Sequence, residues 1–350
     1  MYFLLVVVLL LPAWLPSMLE YPIPPLSTLS TVSAHQASPL SLKSPTKSRL
    51  ARLILASVRR LQYPHSQLII AIGAGVESMT HGFGSRAAPE VSDAVLANQE
   101  SEDCLIPMGI TSENVAADFH IPRKLQDEFS AHSFQKAAAA NKAGKFKDEI
   151  IPIKTTIIDP KTEKEVDIVV DYDDGIRDGV TAESLFKLKP AFIKNGSTHA
   201  GNASQVSDGA AAVLLARRSV ATKLGLPIIG KFVNSAVVGV PPRIMGVGPA
   251  FAIPKVLELV GLSKDDVDFY EINEAFASQA VFSIQHLQIP FEKVNLNGGA
   301  IAIGHPLGCT GARQVATGLN IAKQTDKRVF VTSMCIGSGM GMAAVFVSEH

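Results

Sequence analysis

The sequence predicts an α/β fold in which helices cover a mixed sheet, and three observations carry that reading. Short apolar runs closed by glycine alternate with helical stretches from about residue 67 onward. Hydrophobic residues make up 47% of the 350 and charged residues only 18%, so the chain has apolar surface enough for a sizeable core. Glycine occurs 26 times, which suits a fold with many tight strand-to-helix turns.

The elements follow in order. Leu68 to Gly75 reads as a buried strand ending in a turn. Pro122 opens a helix in which Leu125 and Phe129 share a face, Ala137 to Ala140 continue it, and Gly144 stops it. Val166 to Tyr172 alternates as a more exposed strand does. Asp208-Gly209 precedes another buried strand, Ala210 to Ala216, and β-branched residues predict a further one within Ile228 to Val240. Ala250 to Val260 is a helix with Gly261 as its cap. Val267 to Ile272 is a strand leading into Asn273, followed by a helix from about Phe276 to His286. Gly308 to Ala322 is a glycine-led helix. Arg328 to Met334 and Met342 to Val347 close the chain as strands on either side of Cys335.

Residues 1–66 read differently. Phe3 to Leu11 is an unbroken apolar run, too short for a membrane-spanning helix. It has the apolar region of a signal peptide and a small-residue pattern at Val32-Ser33-Ala34, but no Lys or Arg ahead of it. Residues 19–66 are rich in Ser, Pro and Leu and carry few signals of regular structure. The expected organisation is an apolar then Ser/Pro-rich segment over 1–66 without a fold of its own, a first domain over 67–222, and a second over 223–350.

Lys+Arg and Asp+Glu both number 32, so no basic field argues for nucleic acid. Membrane association has no support outside the apolar N-terminus. The three cysteines lack the paired spacing of a disulfide framework, which fits a reducing compartment or a catalytic thiol. No metal site is expected.

One of those cysteines lies in Ser333-Met334-Cys335-Ile336-Gly337-Ser338-Gly339, and a histidine lies in Gly304-His305-Pro306. A thiol and an imidazole, each beside glycines that bare the backbone, suit proton transfer and oxyanion binding. A thiol pKa of about 8.5 lies nearer working pH than any hydroxyl's. Taken singly, Cys335 also reads as a small buried hydrophobe, His305 as a satisfied histidine, and Asn273 as a helix N-cap.

These signatures occur with others: Gly75-Val76-Glu77-Ser78-Met79, Cys104 to Thr111 with Glu113-Asn114-Val115-Ala116, Gly201-Asn202-Ala203-Ser204 running on to Asp208-Gly209-Ala210, Met245-Gly246-Val247-Gly248-Pro249, and Asn273-Glu274-Ala275-Phe276. In this order, over roughly residues 67 to 350, they resemble the thiolase family. The wording of Cys104 to Thr111 and of Gly308 to Arg313 is similar to its peroxisomal 3-ketoacyl-CoA branch. The resemblance implies two related βαβ-rich halves and an acyltransferase that cleaves 3-ketoacyl-CoA with coenzyme A, giving acetyl-CoA and a shortened acyl-CoA in fatty acid β-oxidation. Coenzyme A is then a co-substrate, no cofactor is held permanently, and a homodimer in the peroxisome is expected. An acetyl-CoA acetyltransferase, or a non-catalytic acyl-CoA-binding or subunit-pairing protein, is the alternative.

By the same resemblance Cys335 is the acid/base thiol, and His305 activates a nucleophilic cysteine and donates to the thioester oxygen. Asn273 holds a water of that oxyanion hole, and the Gly337 N–H belongs to a second one. Ser204 meets the pantetheine arm, with Met108, Met245, Ala275 and Phe276 as its apolar wall. The nucleophile itself belongs in an N-R-x-C-x-S-G segment that this chain does not contain; Cys104 and Cys309 have other places in the pattern. The expectation is a first half without its opening strands, through a truncated or misjoined coding region, an exposed sheet edge there, and no appreciable turnover. Arg60-Leu61 and Gln67-Leu68 fit a loose peroxisomal address pattern, far from the N-terminus where such a pattern acts, and are read as coincidence.

Overall fold

The computed structural model describes residues 3–6, 70–82, 91–159 and 161–350. Among the described residues nine strands form: β1 Phe3–Val6, β2 Ile70–Ser78, β3 Ile153–Ile158, β4 Glu165–Val170, β5 Asp208–Arg217, β6 Gly230–Gly239, β7 Phe269–Ile272, β8 Val329–Ile336 and β9 Met340–Ser348. Seven of them make one sheet in the order β2-β5-β1-β6-β9-β8-β7, and β3 and β4 pair as a separate hairpin. The pairings are antiparallel except β7 with β8, so the main sheet is mixed, as the sequence predicts.

The longer helices are α1 Met108–Asp118, α2 Arg123–Lys142, α3 Gly248–Val260, α4 Ala277–His286 and α5 Thr310–Thr325. Their ends obey local chemistry. Pro122 precedes α2, where a missing N–H costs nothing, and Gly144 just past its end takes φ +69°. Gly261 stops α3 with φ 68°. Helix α4 is preceded by Phe276 as its N-cap, so Asn273 lies outside the cap and its side chain is left for other work.

Strand alternation sends successive residues to opposite faces of the sheet. On one face Tyr270, Ile272, Val331 and Val345 join Ile253 and Val256 of α3 and Val281 and Ile284 of α4 in the largest core cluster. On the other, Phe269, Phe330 and Phe346 stack across β7, β8 and β9 with ring centroids 5.1 and 5.2 Å apart, beneath Leu319 and Ile321 of α5. That end of the sheet is covered on both sides.

The β2 end is not. Its Ala71 packs toward α5, while Ile70, Ile72 and Val76 on the opposite face are 43%, 51% and 45% exposed. β2 pairs with β5 alone, which makes it an edge strand among the described residues.

One finding departs from expectation. Phe3–Val6, inside the segment expected to lack structure, is a strand held antiparallel between β5 and β6. The ladders to β5 and β6 pair the backbone groups of this short apolar segment on both sides. β1 thereby joins the strands of 67–222 and of 223–350 into a single sheet. Residues 7–66, with the basic cluster and the small-residue pattern at 32–34, lie outside the described residues. No helix among those described is long and apolar enough to cross a membrane.

Candidate active site

The site lies beyond the carboxyl ends of β7 and β8, the one parallel pair of the sheet. Asn273 follows β7 directly. Its N–H donates to the Ser333 carbonyl at 2.9 Å and its carbonyl accepts from Gln279 Nε2 at 2.7 Å. Backbone bonds on both sides therefore hold this residue at the strand end, and it is 3% exposed.

His305 comes from the loop ahead of α5. Gly304 has φ +90°, and a Cβ there would stand 2.5 Å from Ser207 Oγ, so only glycine fits. The imidazole is buried between Asn273, whose Nδ2 lies 3.2 Å from Nε2, and Thr310, whose Oγ1 lies 2.6 Å from Nδ1. The Thr310 hydroxyl spends its one hydrogen on the Pro306 carbonyl at 3.0 Å. It can then only accept from the ring, which puts the proton on Nδ1 and leaves the Nε2 lone pair facing the Asn273 amide. Burial without a charged partner pulls the His305 pKa down to about 4, so the ring is neutral at physiological pH.

Cys335 is the next-to-last residue of β8, opposite Gly341 of β9. Burial pushes its thiol up to about 11. The turn that follows rests on Val240-Pro241-Pro242: Val240 N–H donates to the Gly339 carbonyl at 2.9 Å, and a Cβ at Gly339 would strike the Val240 carbonyl. A Cβ at Gly337 would meet nothing within 4 Å, so the backbone of Gly337 borders open space.

Two segments expected to line the site are joined to each other. Ser204 N–H donates to the Ala275 carbonyl at 2.9 Å, Ala203 bridges Phe276, and Ala277 N–H donates to the Asn202 carbonyl. Phe276 meets the Phe192 ring edge-on at 6.4 Å, and that same ring fills the space a side chain at Gly109 would need. Met108, next to Gly109 at the start of α1, is 40% exposed, whereas Met245 is buried in the turn Pro242–Val247.

The segment Gly201 to Ser204 has a buried anchor that sequence reasoning missed. Gly201 N–H donates to His199 Nδ1 at 3.0 Å, so His199 Nε2 carries the hydrogen and donates to Asp127 Oδ1 at 2.7 Å. Asn202 Nδ2 adds a bond of 3.1 Å to the same oxygen. Thr310 and Gln279 were also missed. Neither stands in a recognisable pattern; Thr310 is marked only by following His305 by five residues.

The other two cysteines are poor nucleophiles. Cys309 is 2% exposed in the apolar cluster under α5, with a thiol pushed up to about 12 by burial. Cys104 donates to the Glu100 carbonyl at 3.2 Å, and burial together with Asp103 and Glu100 raises its pKa as well. Burial raises the pKa of all three thiols, and the one cation that acts on them, Arg313 near Cys309, is paired with Asp173.

Comparison with known proteins places this geometry. The N-terminal domain of thiolase matches residues 53–219, reaching back before residue 67, and the C-terminal domain of thiolase matches 226–348. The peroxisomal 3-ketoacyl-CoA thiolase of Yarrowia lipolytica is 62% identical over 283 residues, 81% of this chain and 68% of that protein. The human peroxisomal 3-ketoacyl-CoA thiolase is 58% identical over 79% of this chain and 65% of its own length. The chain thus spans about two thirds of the length of these relatives. The dimeric peroxisomal thiolase of Saccharomyces cerevisiae superposes with a TM-score of 0.76 at 54% identity, covering 85% of this chain and 73% of that one. Human mitochondrial 3-ketoacyl-CoA thiolase in complex with CoA gives 0.73 at 34% identity, over 86% of this chain and 75% of that one. With both domain matches, this identity and this superposition, the chain belongs to the thiolase family.

Proposed function

We propose that this chain is a thiolase of the 3-ketoacyl-CoA type, whose reaction is thiolytic cleavage to acetyl-CoA and an acyl-CoA two carbons shorter, in peroxisomal fatty acid β-oxidation. The observation that carries the reading is the Asn273–His305 contact, with Thr310 holding the proton on Nδ1. A neutral imidazole with an unprotonated Nε2 accepts a thiol proton, in place of the Asn273 amide bond, and afterwards, as N–H, donates to a thioester oxygen. Cys335 gives and takes the α-carbon proton, and the Gly337 N–H steadies the enolate oxygen as it forms. Ser204, Ala275 and Phe276 receive the pantetheine arm, with Met108 and Met245 extending the apolar wall. Coenzyme A enters as co-substrate.

The acylation step needs a thiolate to attack the 3-keto carbonyl carbon, so that the C2–C3 bond breaks and the acetyl-CoA enolate leaves and takes a proton at C2. Cys104, Cys309 and Cys335 do not supply it. The 350-residue chain is therefore expected to bind coenzyme A thioesters and to give no appreciable cleavage. Calorimetric titration with coenzyme A and a thiolysis assay on acetoacetyl-CoA and longer 3-ketoacyl-CoAs test both halves. Robust cleavage sensitive to iodoacetamide would remove the second half and make Cys104 the residue to mutate next. Absence of any binding would remove the first.

A second reading, pairing with another thiolase subunit, is favoured by the open edge and apolar face of β2. Light scattering on the purified chain, alone and mixed with an intact thiolase, separates a homodimer from a mixed assembly.

A further inference from the structure

A polar cluster lies behind Asn273 and takes no part in the reaction described above. Glu149, Glu271 and Glu274 are all buried there, with Lys136, Arg313 and Asp173 on the elements packed against them. Arg313 is already neutralised by Asp173 through two bonds, Nη1 to Oδ1 at 2.8 Å and Nη2 to Oδ2 at 2.6 Å. Glu274 accepts from Ser133 Oγ, Asn295 Nδ2 and the Ile301 N–H, which is the donor set of a carboxylate. Glu149 accepts from Thr317 Oγ1 and Asn320 Nδ2. Among the described residues Lys136 is the one cation left for these two anions, so the cluster already carries excess negative charge and a third carboxylate would add to it.

Glu271 is the third. It is 5% exposed, and its Oε1 has no partner among the described residues. Arg313, 8% exposed, has its Nε unpartnered in the same way. Both residues line one small cavity, along with Asn273, Gly304 and Thr310. Its volume is about 20 Å³. A single water needs about 10–15 Å³ and two or more polar partners. The Nε donor and a carboxyl group on one cavity wall supply those partners.

We propose that Glu271 is a protonated, neutral acid in the folded protein, and that it shares one buried water with Arg313 Nε. The proton keeps a further uncompensated charge out of a cluster already rich in carboxylates, and the water satisfies two polar atoms that are otherwise orphaned. Desolvation, with Glu149 and Glu274 close by, raises the Glu271 pKa well above its ordinary value, against the weaker opposing pull of Lys136 and Arg313. Glu271 and Asn273 are two residues apart at the end of β7, so the water also borders the residue that holds His305. The neutral acid thus keeps an uncompensated anion away from the wall of the site. This inference stands whether or not the chain turns over substrate.

The test uses the full chain and Glu271→Gln, a neutral isostere of the protonated acid. Infrared difference spectra at neutral pH are expected to show a carboxylic-acid C=O band in the wild type, sensitive to D2O, that the variant lacks. Chemical unfolding from pH 5 to pH 8 should show the wild-type folding constant falling by up to about tenfold per pH unit relative to the variant. The sign follows from a raised carboxyl pKa: the folded state keeps a proton that the unfolded state releases. A crystal structure should place one water between Glu271 and Arg313 Nε. No such band, parallel pH profiles, a dry cavity, or a Glu271→Gln protein that fails to fold at neutral pH would each overturn the proposal.

Discussion

Asn273 and His305 meet at 3.2 Å although 32 residues separate them, one placed by the end of β7 and the other by the loop that starts α5. The fold achieves this with backbone bonds on the asparagine side and, on the histidine side, a glycine in a backbone conformation that other residues would find strained. A third group, Thr310, decides which ring nitrogen is basic.

Thr310→Val is therefore expected to disturb the ring specifically. Valine matches threonine in shape but cannot accept from Nδ1–H, and a buried donor left unsatisfied costs about 1–3 kcal/mol. Urea unfolding should show that loss. Nitrogen chemical shifts of the imidazole should show the Nδ1–H tautomer depleted or mixed. Unchanged shifts would mean that Thr310 does not set the tautomer.

The neutral His305 also makes stability depend on pH. Its folded pKa of about 4 lies below the ordinary histidine value, so the unfolded chain takes a proton first as pH falls. Stability is then unaffected above pH 6.5 and lost progressively as pH drops toward 4. The full effect is roughly 3 kcal/mol at about 1.4 kcal/mol per unit. Unfolding of the wild type and of His305→Gln should diverge in that window, the wild type losing more. Equal slopes would show that the ring is charged in the folded protein.

Much of this was legible in the sequence and some was not, for identifiable reasons. Helix α3, strand β7 and the glycines at 144 and 261 follow from periodicity and capping, which are local. Helix α1 was not recognised, because its inward face is polar. Glu113 accepts from Ser197 N–H and Thr198 N–H, and Ser112 bonds Thr198 and Ser278, so buried positions there carry no apolar period. Strand β3 is exposed along nearly its whole length and carries no alternation to mark it, and the apolar run of β1 suggests an export signal or an unstructured tail because it does not announce its partner strands. The His305, Asn273 and Cys335 signatures were visible as words. Their tautomer and supports arise only from long-range contacts.

The buried Asp127 is expected to control the segment proposed to bind coenzyme A. It accepts from His199 Nε2, Asn202 Nδ2 and, at 3.3 Å, Arg123 Nε. Asp127→Ala leaves three donors short of an acceptor beside Gly201 to Ser204, at a cost of about 3 kcal/mol or more. Asp127→Asn keeps the volume and one acceptor oxygen and should cost less. Coenzyme A affinity measured by calorimetry should fall in the same order, Asn then Ala. If affinity is unchanged in a folded Asp127→Ala protein, Ser204 does not meet the ligand.

The exposed face of β2 leads to the last expectation. Ile70, Ile72 and Val76 present three β-branched apolar side chains on a strand whose outer edge is unpaired among the described residues, the combination that templates association with another chain. Ile72→Lys places a solvated charge at the centre of that face, where its long stem still lies along the neighbouring apolar groups. The residue is about half exposed at 51%, so little burial is lost and the melting temperature should hardly move. The sedimentation profile should move instead: less aggregate and a shift toward smaller species at a given concentration. A lysine variant that melts much earlier than the wild type would mean that the face is covered in the native chain, and that β2 belongs to an interior rather than to an interface.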